Sequence, residues 1–328
     1  MDKKQELLTM LQQAEYVSGS VLAQRLQITR AAVWKYVKAL QSEGCQIEAA
    51  TNRGYRLLRC GDVLSASGIK AFLGEAAPLF EIEVLDSCTS TNKVLKERAE
   101  GLKEWHTVIA RQQTAGRGRN GRAFFSPDKT GLYMSVLLRP RLKVGEATLI
   151  TTAAAVAVCR AIEALSAEQA QIKWVNDVYV HGKKVCGILT EANLDMEGGT
   201  VGYAVLGVGV NVTAPAGGFP TELTSIAGGV FKGEEPQLRC RLAAEVLRQL
   251  HAIFSQLPAR DFIKEYRARS FILGHGILVL RGETSEEAQA EEIDEECRLV
   301  VRYQDGRREA LSSGEVSIKP QSGGEGKA

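Results

Sequence analysis

The sequence predicts an α+β chain of three folded parts, and three observations carry that prediction. Short amphipathic helical patterns and a hairpin fill the first 60 residues, strands and helices alternate through the middle, and after Phe271 only short strand patterns remain. A length of 328 residues with a 45% hydrophobic share exceeds what one domain usually holds and suffices for a sizeable core. The expected parts are residues 1–62, 63–270 and 271–320, with a Gly-rich, disordered tail at 321–328.

In the first part, Leu7, Leu8, Leu11 and Ala14 mark one face of a helix. Ser18 can cap a second helix running to Leu26, and Thr29 a third running to about Glu43. Only Gln27-Ile28-Thr29 separates these two, the tight connection of a helix-turn-helix. On the third helix Val33, Val37 and Leu40 must face the core, which sends Arg30, Ala31, Trp34, Lys35 and Lys38 to the other side. Gln46–Ala49 and Tyr55–Leu58 then flank Thr51-Asn52-Arg53-Gly54, so a small β wing follows. Residues 1–60 hold nine basic side chains against five acidic ones, an excess the whole chain, at net +2, does not share. This pattern suits DNA, met by Arg30, Ala31, Trp34, Lys35, Lys38 and the wing's Arg53. A three-helix packing unit with a solvated basic face fits the same residues.

Arg59–Asp62 reads as a linker, and Ser65–Leu73 as the helix that opens the larger part. Strands are expected at Ile82–Leu85, Thr107–Arg111, Leu132–Arg139, Ile172–Val175, Val178–Val180, Val185–Glu191 and Ala204–Val210. Helices are expected at Thr91–Glu100, Gly145–Leu165, Gln237–Gln256 and Arg260–Ser270. Adjacent strand pairs with short turns favour a mixed sheet over a strict βαβ repeat. Beyond them, Ile277–Arg281, Ala288–Ile293, Leu299–Tyr303, Glu309–Leu311 and Val316–Lys319 suggest a small β barrel.

Forty-one Lys and Arg against 39 Asp and Glu exclude a polyanion or membrane-surface role from whole-chain charge. Seven scattered cysteines, with no C-x-x-C pair and no neighbouring His, carry no zinc pattern and point to a reducing cytoplasm. MDKKQELLTM lacks the apolar core of a secretory signal, and the most apolar run, Thr151–Ile162, is too short to span a bilayer. The expectation is a soluble, cytoplasmic protein with no membrane partner.

Gly116-Arg117-Gly118-Arg119-Asn120-Gly121-Arg122 satisfies G-x-G-x-x-G, but Ala123-Phe124-Phe125-Ser126-Pro127 follows instead of a helix, so a dinucleotide fold is unsupported. Ser90-Thr91-Asn92-Lys93 spells S-x-x-K without its S-D-N and K-T-G companions. The four histidines form no ligand spacing, and no metal site is expected. Three arginines among three glycines make a mobile loop that can wrap an anion with bidentate donors, whether a phosphate ligand or a nucleic acid. Lys173-Trp174-Val175-Asn176-Asp177, followed by the turn His181-Gly182-Lys183-Lys184, places Ile172 and Trp174 on one face and Lys173 and Val175 on the other. Taken alone, that is an ordinary hairpin with surface lysines. Gly207-Val208-Gly209-Val210-Asn211 ends a strand with an amide where ligands often sit.

Ser87–Asn92, Gln113–Arg122, Lys173–Asp177, Lys184–Leu189 and Gly207–Asn211 occur in the order and spacing of biotin–protein ligases. With the winged helix, about residues 3–320 resemble the bifunctional bacterial members that also repress biotin biosynthesis genes. The resemblance implies a winged helix-turn-helix, a biotin/lipoate-ligase-like catalytic domain and an SH3-like barrel. It implies biotin contacts at Ser90, Thr91, Gln113, Gly116, Arg117, Lys184 and Gly187. Nucleotide contacts are implied at Arg119, Arg122, Phe124, Lys173, Asn176 and Asn211, and catalytic roles for Lys184, Arg119 and Asp177. The implied reaction uses ATP with Mg²⁺ to make biotinyl-5′-AMP and passes biotin to a lysine of a biotin carboxyl carrier protein, of acetyl-CoA carboxylase or another biotin-dependent carboxylase. Operator DNA and a homodimer formed through the central part are the other expected partners. Val175 stands where the family usually has Pro, Phe124 where Trp is frequent and Asn120 where a further basic residue is common, while Glu292 and Cys297 fall where glycines are frequent. A lipoate ligase and a biotin-sensing regulator without transfer activity are the rival readings.

Overall fold

The structure is a computed structural model that describes residues 3–42, 44–195, 197–233, 235–281 and 284–318. Outside these lie the tail expected to be disordered, Glu43 at the expected end of the third helix, and Lys319 at the expected end of the last strand.

Helices α1 (Lys3–Gln12), α2 (Gly19–Leu26) and α3 (Arg30–Ser42) pack around a small core of Leu7, Leu8, Leu22, Val33, Val37 and Leu40. Both expected caps form: the Ser18 and Thr29 hydroxyls accept the Val21 and Ala32 amides at 3.2 and 3.1 Å. Ala14 lies beyond α1 and is exposed, so the expected first helical face is one residue too long. Strands β1 (Gln46–Ala50) and β2 (Gly54–Arg59) form the wing. Gly54 adopts φ 102°, and a Cβ there would lie 2.3 Å from the Val17 carbonyl oxygen. That close approach lets Val17 and Tyr55 exchange two 2.9 Å backbone hydrogen bonds, tying the wing to the start of α2.

Register also explains a pairing that cysteine spacing does not show. Gln46 pairs with Arg59, which brings Cys45 and Cys60 together at the open end of the hairpin, where they are joined as a disulfide. The remaining five cysteines are free.

The next residues are no loose tether. Asp62 is buried against Arg239: its carboxylate accepts the Arg239 backbone amide at 2.9 Å and Nε at 2.5 Å, and its carbonyl accepts an Nη at 2.8 Å. Helix α4 (Ala66–Leu73) follows, capped by Ser65 as expected.

The central part comprises β3 (Glu81–Cys88), α5 (Thr91–Lys96), β4 (His106–Gln113), β5 (Gly131–Leu138), α6 (Thr148–Leu165), β6 (Gln171–Lys173), β7 (Asp177–Val180), β8 (Lys183–Asp195), β9 (Thr200–Asn211), α7 (Leu238–Phe254) and α8 (Phe262–Arg269). Its seven-stranded sheet runs β3-β4-β5-β9-β8-β7-β6, antiparallel except for the β3–β4 pair, so the mixed α+β sheet is as expected. Strands β8 and β9 form a longer ribbon than expected, running to Asp195 and starting at Thr200, and two elements differ in kind. Helix α5 stops at Lys96, with a separate 3₁₀ turn at Ala99–Gly101. Strand β6 ends at Lys173, so Val175 does not share the face of Lys173; it is buried beside Trp174. There the Val175 carbonyl accepts the Tyr266 hydroxyl and the Trp174 indole donates to the Cys297 carbonyl, both at 3.0 Å, holding the chain off the sheet plane. The Trp174–Val175 peptide is cis.

Val144–Leu165 is long and apolar enough to cross a membrane by length and composition, more so than the Thr151–Ile162 run alone, but 72% of its apolar 18-residue window is buried within the fold. Eleven buried α6 side chains enter the common core, which accounts for its hydropathy.

Strands β10 (Gly276–Arg281), β11 (Thr284–Ile293), β12 (Leu299–Tyr303), β13 (Arg308–Leu311) and β14 (Glu315–Ile318) form an antiparallel sheet ordered β13-β12-β11-β10-β14. Glutamates of β11 pair across strands, Glu286 with Arg307, and Glu291 with Arg302 and Arg308. Its interior merges with the central core through residues such as Ile293 and Leu299.

Removing one partner of a buried, hydrogen-bonded ion pair strands the other charge, at a cost of about 3–5 kcal/mol. Asp62→Ala is therefore expected to lower unfolding stability by about 3 kcal/mol or more, read from the urea midpoint by tryptophan fluorescence. The double variant Asp62→Ala/Arg239→Met should recover part of that loss.

Candidate active site

One cleft gathers the motifs, and its floor is made of glycine. Gly187 and Gly209 face each other across β8 and β9, and Gly209 in turn pairs with Tyr133 of β5. The Phe124 ring rests on this seam: a Cβ at Gly187 would lie 3.2 Å from it and one at Gly209 only 2.7 Å. Edge-on contact with Tyr133, centroids 6.4 Å apart, completes its seat. Gly209 lies in the quoted Gly207–Asn211 block but was given no role there, because a strand glycine shows no partner until the sheet is assembled.

The segment carrying Phe124 is a hairpin, where sequence suggested a mobile loop. Gly116 and Phe124 pair at 2.9 Å, Gly118 and Arg122 at 2.7 Å, and the tip turns through Asn120 (φ 54°, ψ 36°) and Gly121 (φ 73°). Two successive left-handed residues are what an Asn-Gly hairpin turn requires, a signal present in the sequence but unused. Gly116 does not line the cleft; it lies beneath, where a Cβ would come 2.4 Å from the Phe124 carbonyl and 2.6 Å from Ser126 Oγ.

Ser90, Thr91, Gln113 and Arg117 line one wall, and Lys173, Asn176, Asp177 and Lys184 another, with Arg119, Arg122 and Asn211 between. Arg119 donates to Asn176 Oδ1 at 3.2 Å, and Asn176 Nδ2 donates to the Ile188 carbonyl at 2.9 Å, so the guanidinium is tied to β8. Burial lowers the Arg119 pKa, while the charges of Asp177 and Glu315 oppose it; a guanidinium stays cationic regardless. Burial likewise lowers the Lys173 pKa, against Asp177 and with Lys184. Lys184 Nζ sits 2.7 Å from Asp177 Oδ1, and Arg122 reaches Glu315 of β14 at 2.5 Å. Five cations thus face two carboxylates, an arrangement that binds a polyanion. The wall at Ser90, Thr91 and Gln113 is polar and uncharged, suited to a small hydrogen-bonding ring.

Two further stretches line the cleft that sequence did not single out: Phe219, Leu223, Ile226 and Ala227 on the rim, and Gly314–Val316 from the C-terminal sheet. The rim segment is docked by Lys184, whose amide donates to the Ile226 carbonyl at 2.8 Å and whose carbonyl accepts the Gly228 amide at 3.0 Å. Its irregular backbone has no periodicity from which its place could be read.

Arg30, Ala31, Trp34, Lys35, Lys38 and Arg53 are exposed on α3 and the wing. Trp34 is 53% exposed with Lys38 Nζ 5.9 Å above its ring, and Arg53 stacks 4.1 Å from the centroid of Tyr16, a neighbour sequence reading missed.

Comparison with known proteins accords with this architecture. The Biotin/lipoate A/B protein ligase family matches residues 84–211, an HTH domain residues 3–56, and the Biotin protein ligase C terminal domain residues 272–319. The bifunctional ligase/repressor BirA of Bacillus spizizenii is 37% identical over 227 residues, 68% of this chain and 69% of that protein. Its namesake from Escherichia coli is 28% identical over 322 residues, 96% of each. Among solved structures, a mutant biotin protein ligase from Aquifex aeolicus in complex with biotin superposes with TM-score 0.61 at 25% identity, covering 73% of this chain and 98% of that one. The chain therefore belongs to the biotin/lipoate protein ligase family, with a helix-turn-helix at its N-terminal end and that family's C-terminal domain at the other.

Proposed function

We propose that this protein joins biotin and ATP into biotinyl-5′-AMP, transfers the biotinyl group to a lysine of a biotin carboxyl carrier protein, and represses biotin biosynthesis genes through its winged helix. The observation that carries this reading is a single cleft that brings the uncharged polar groups of Ser90, Thr91 and Gln113 together with five cations.

Ser90, Thr91, Gln113 and Arg117 would hold the ureido ring near Gly187, beside the Phe124 ring, with Gly116 supporting that wall from beneath. Biotin's carboxylate then lies toward Lys184, whose orientation the Asp177 ion pair fixes. Carboxylate and triphosphate repel each other, so their approach needs fixed positive charge where it develops; Lys173, Lys184 and Arg119 supply it. Phe124, Asn176 and Asn211 would meet the nucleotide, and Arg119 and Arg122 close over the adenylate phosphate. Mg²⁺, carried by the triphosphate when bound, would supply charge neutralisation for the pyrophosphate leaving group. A carboxylate oxygen bonds to the α-phosphorus as pyrophosphate leaves; the carrier's lysine amine then attacks the acyl carbonyl and AMP departs. No protein nucleophile is required. We place this chemistry in the cytoplasm, with ATP and operator DNA, although the Cys45–Cys60 bond runs against a reducing compartment.

The homodimer expected for a two-fold operator has a candidate surface. Beyond Leu189, β8 pairs among the described residues only with β9, which leaves a sheet edge at Thr190–Asp195 with Leu194 exposed. The Gly116–Arg122 hairpin is already paired, and a bound adenylate would fasten it further through Arg119 and Arg122.

Incubation with biotin, Mg-ATP and a carrier domain should add one biotinyl group to the carrier by intact mass. A carrier that never gains mass while biotinyl-AMP accumulates would leave a sensor, not a transferase. Arg119→Gly removes a cationic fork from the adenylate cover; stopped-flow should show faster release of the intermediate with biotin affinity little changed, and unrelated lysines should become labelled. For the regulatory half, sedimentation should show more dimer with biotinyl-AMP than without, and Trp34→Ala should weaken binding to a biotin operon promoter about tenfold while ligation persists. Equal dimerisation in both states would remove the link between ligand and operator.

A further inference from the structure

The Cys45–Cys60 bond has no part in the cleft and does not suit a reducing compartment, so its place in the fold bears on what it does. Cys45 closes the end of α3, its amide donating to the Leu40 carbonyl at 2.9 Å. Cys60 follows β2 and stands two residues before Asp62, which is locked onto Arg239. The bond therefore joins the end of the helix that bears Trp34 and Lys38 to the strand that returns from the wing bearing Arg53. The β1–β2 ladder is interrupted beside it: Gln46 pairs with Arg59 but Ile47 already with Leu57, which leaves Leu58 as an extra, exposed residue. Beyond that bulge one strand pair, a 3.3 Å hydrogen bond from the Gly61 amide to the Gly44 carbonyl and the covalent bond hold the open end of the hairpin.

Two features make this bond exchangeable. Both cysteines belong to the small core of the N-terminal part, which Leu7, Leu8, Leu22, Val33, Val37 and Leu40 also fill, so opening the bond removes a constraint and leaves the core packed. The bond is also within reach of a small thiol. A cleft of about 210 Å³ opens between Gln46, Arg59, Cys60 and Gly61 on one side and Glu235 and Pro236, just before α7, on the other. Cys60 lines this cleft and Cys45 does not, so an entering thiolate meets the Cys60 sulfur first.

We propose that Cys45 and Cys60 form a reversible thiol–disulfide site through which glutathione-type thiols set the affinity of the winged helix for DNA. The inference rests on the cytoplasmic and operator-binding readings above. In a compartment kept reducing by thiols, protein disulfides serve mainly as sensing or catalytic groups. A thiolate of the reductant attacks Cys60 Sγ, the S–S bond breaks, and Cys45 leaves as a thiolate that takes a proton from water. A second small thiolate then attacks the reductant's sulfur in the mixed disulfide and releases Cys60, the two small thiols ending as their own disulfide. Oxidation is the same exchange in reverse, with the small disulfide as oxidant. While the bond is closed, α3 and the wing meet DNA at one fixed angle. Once it is open, the end of the hairpin moves, and fewer of its orientations bring Arg53 onto DNA together with Trp34 and Lys38.

The test equilibrates the full-length protein in buffers of reduced and oxidised glutathione with oxygen excluded. Alkylation and peptide mass report on Cys45 and Cys60, fluorescence anisotropy with biotinyl-AMP present reports binding to a biotin operon promoter, and carrier biotinylation is the control. The two thiols should appear together, promoter affinity should fall about tenfold as they do, and ligation should hold steady. Cys45→Ser/Cys60→Ser should bind as the reduced form does and ignore the glutathione ratio. Among the single variants, glutathione should attach to Cys60 in Cys45→Ser and spare Cys45 in Cys60→Ser. A bond that no glutathione ratio opens would overturn the proposal, as would a double variant that still responds, since another cysteine would then be the sensor. Equal, tight promoter binding by the oxidised and reduced forms would refute the redox control alone, whereas no binding by either form would refute the operator reading beneath it.

Discussion

Five cations share one cleft, and the rest of the catalytic part is arranged around the cost of keeping them there. Two like charges about 4 Å apart repel by about 4 kcal/mol at the effective dielectric of a partly buried site. Asp177 and Glu315 offset that repulsion locally, the first on Lys184 and the second on Arg122, while Asn176 anchors Arg119 without adding charge. Glu315 comes from the C-terminal sheet, so the last 50 residues complete the electrostatics of a site whose other members lie between Ser90 and Ala227. Shared core packing is what makes that possible: the Trp174 indole donates to the Cys297 carbonyl, holding the start of the Asn176-Asp177 turn against the C-terminal part.

The second constraint is shape. A hairpin that must present arginines over a sheet needs an anchor, and Phe124 provides it by lying on the Gly187–Gly209 seam. Here the Phe in place of the family's frequent Trp keeps an aromatic plane, and its edge contact with Tyr133 keeps the seat filled. The same strand β5 that carries Tyr133 carries Ser135 two residues on, so the packing against Phe124 and the hydrogen bonding behind Thr91 are set by one element.

Much of this was legible because the relevant signals are local. The helix caps at Ser18 and Thr29, the alternating strands and the blocks around Thr91, Gln113 and Lys184 are written over a few consecutive residues, and the structure brings those blocks into one cleft. What stayed hidden depends on register or on packing between distant segments. Cys45 and Cys60 are neighbours only once the wing is paired; Val175 turns inward only because Tyr266 takes its carbonyl; Phe219 and Ile226 reach the cleft along an irregular path that no periodicity marks. Asn120-Gly121 is the exception, a local turn signal overshadowed by the arginines around it.

Composition suggested that residues 59–62 are a tether, and the physics of Asp62 argues otherwise. Its carboxylate is locked onto the backbone and side chain of Arg239 in the first turn of α7, and α7 packs on α4, α6 and β5. Reorienting the winged helix about this point means breaking a buried ion pair, where a flexible linker would turn at no cost. Cys60, two residues earlier, belongs to the small N-terminal core, and Val63, one residue later, does too, so the core of the DNA-binding part extends past the expected boundary at residue 62. The winged helix is thereby seated on the same helix and sheet that carry Tyr133 and Ser135. A connection held by an ion pair of this kind can transmit between the sheet and α3 a bias that a tether would dissipate.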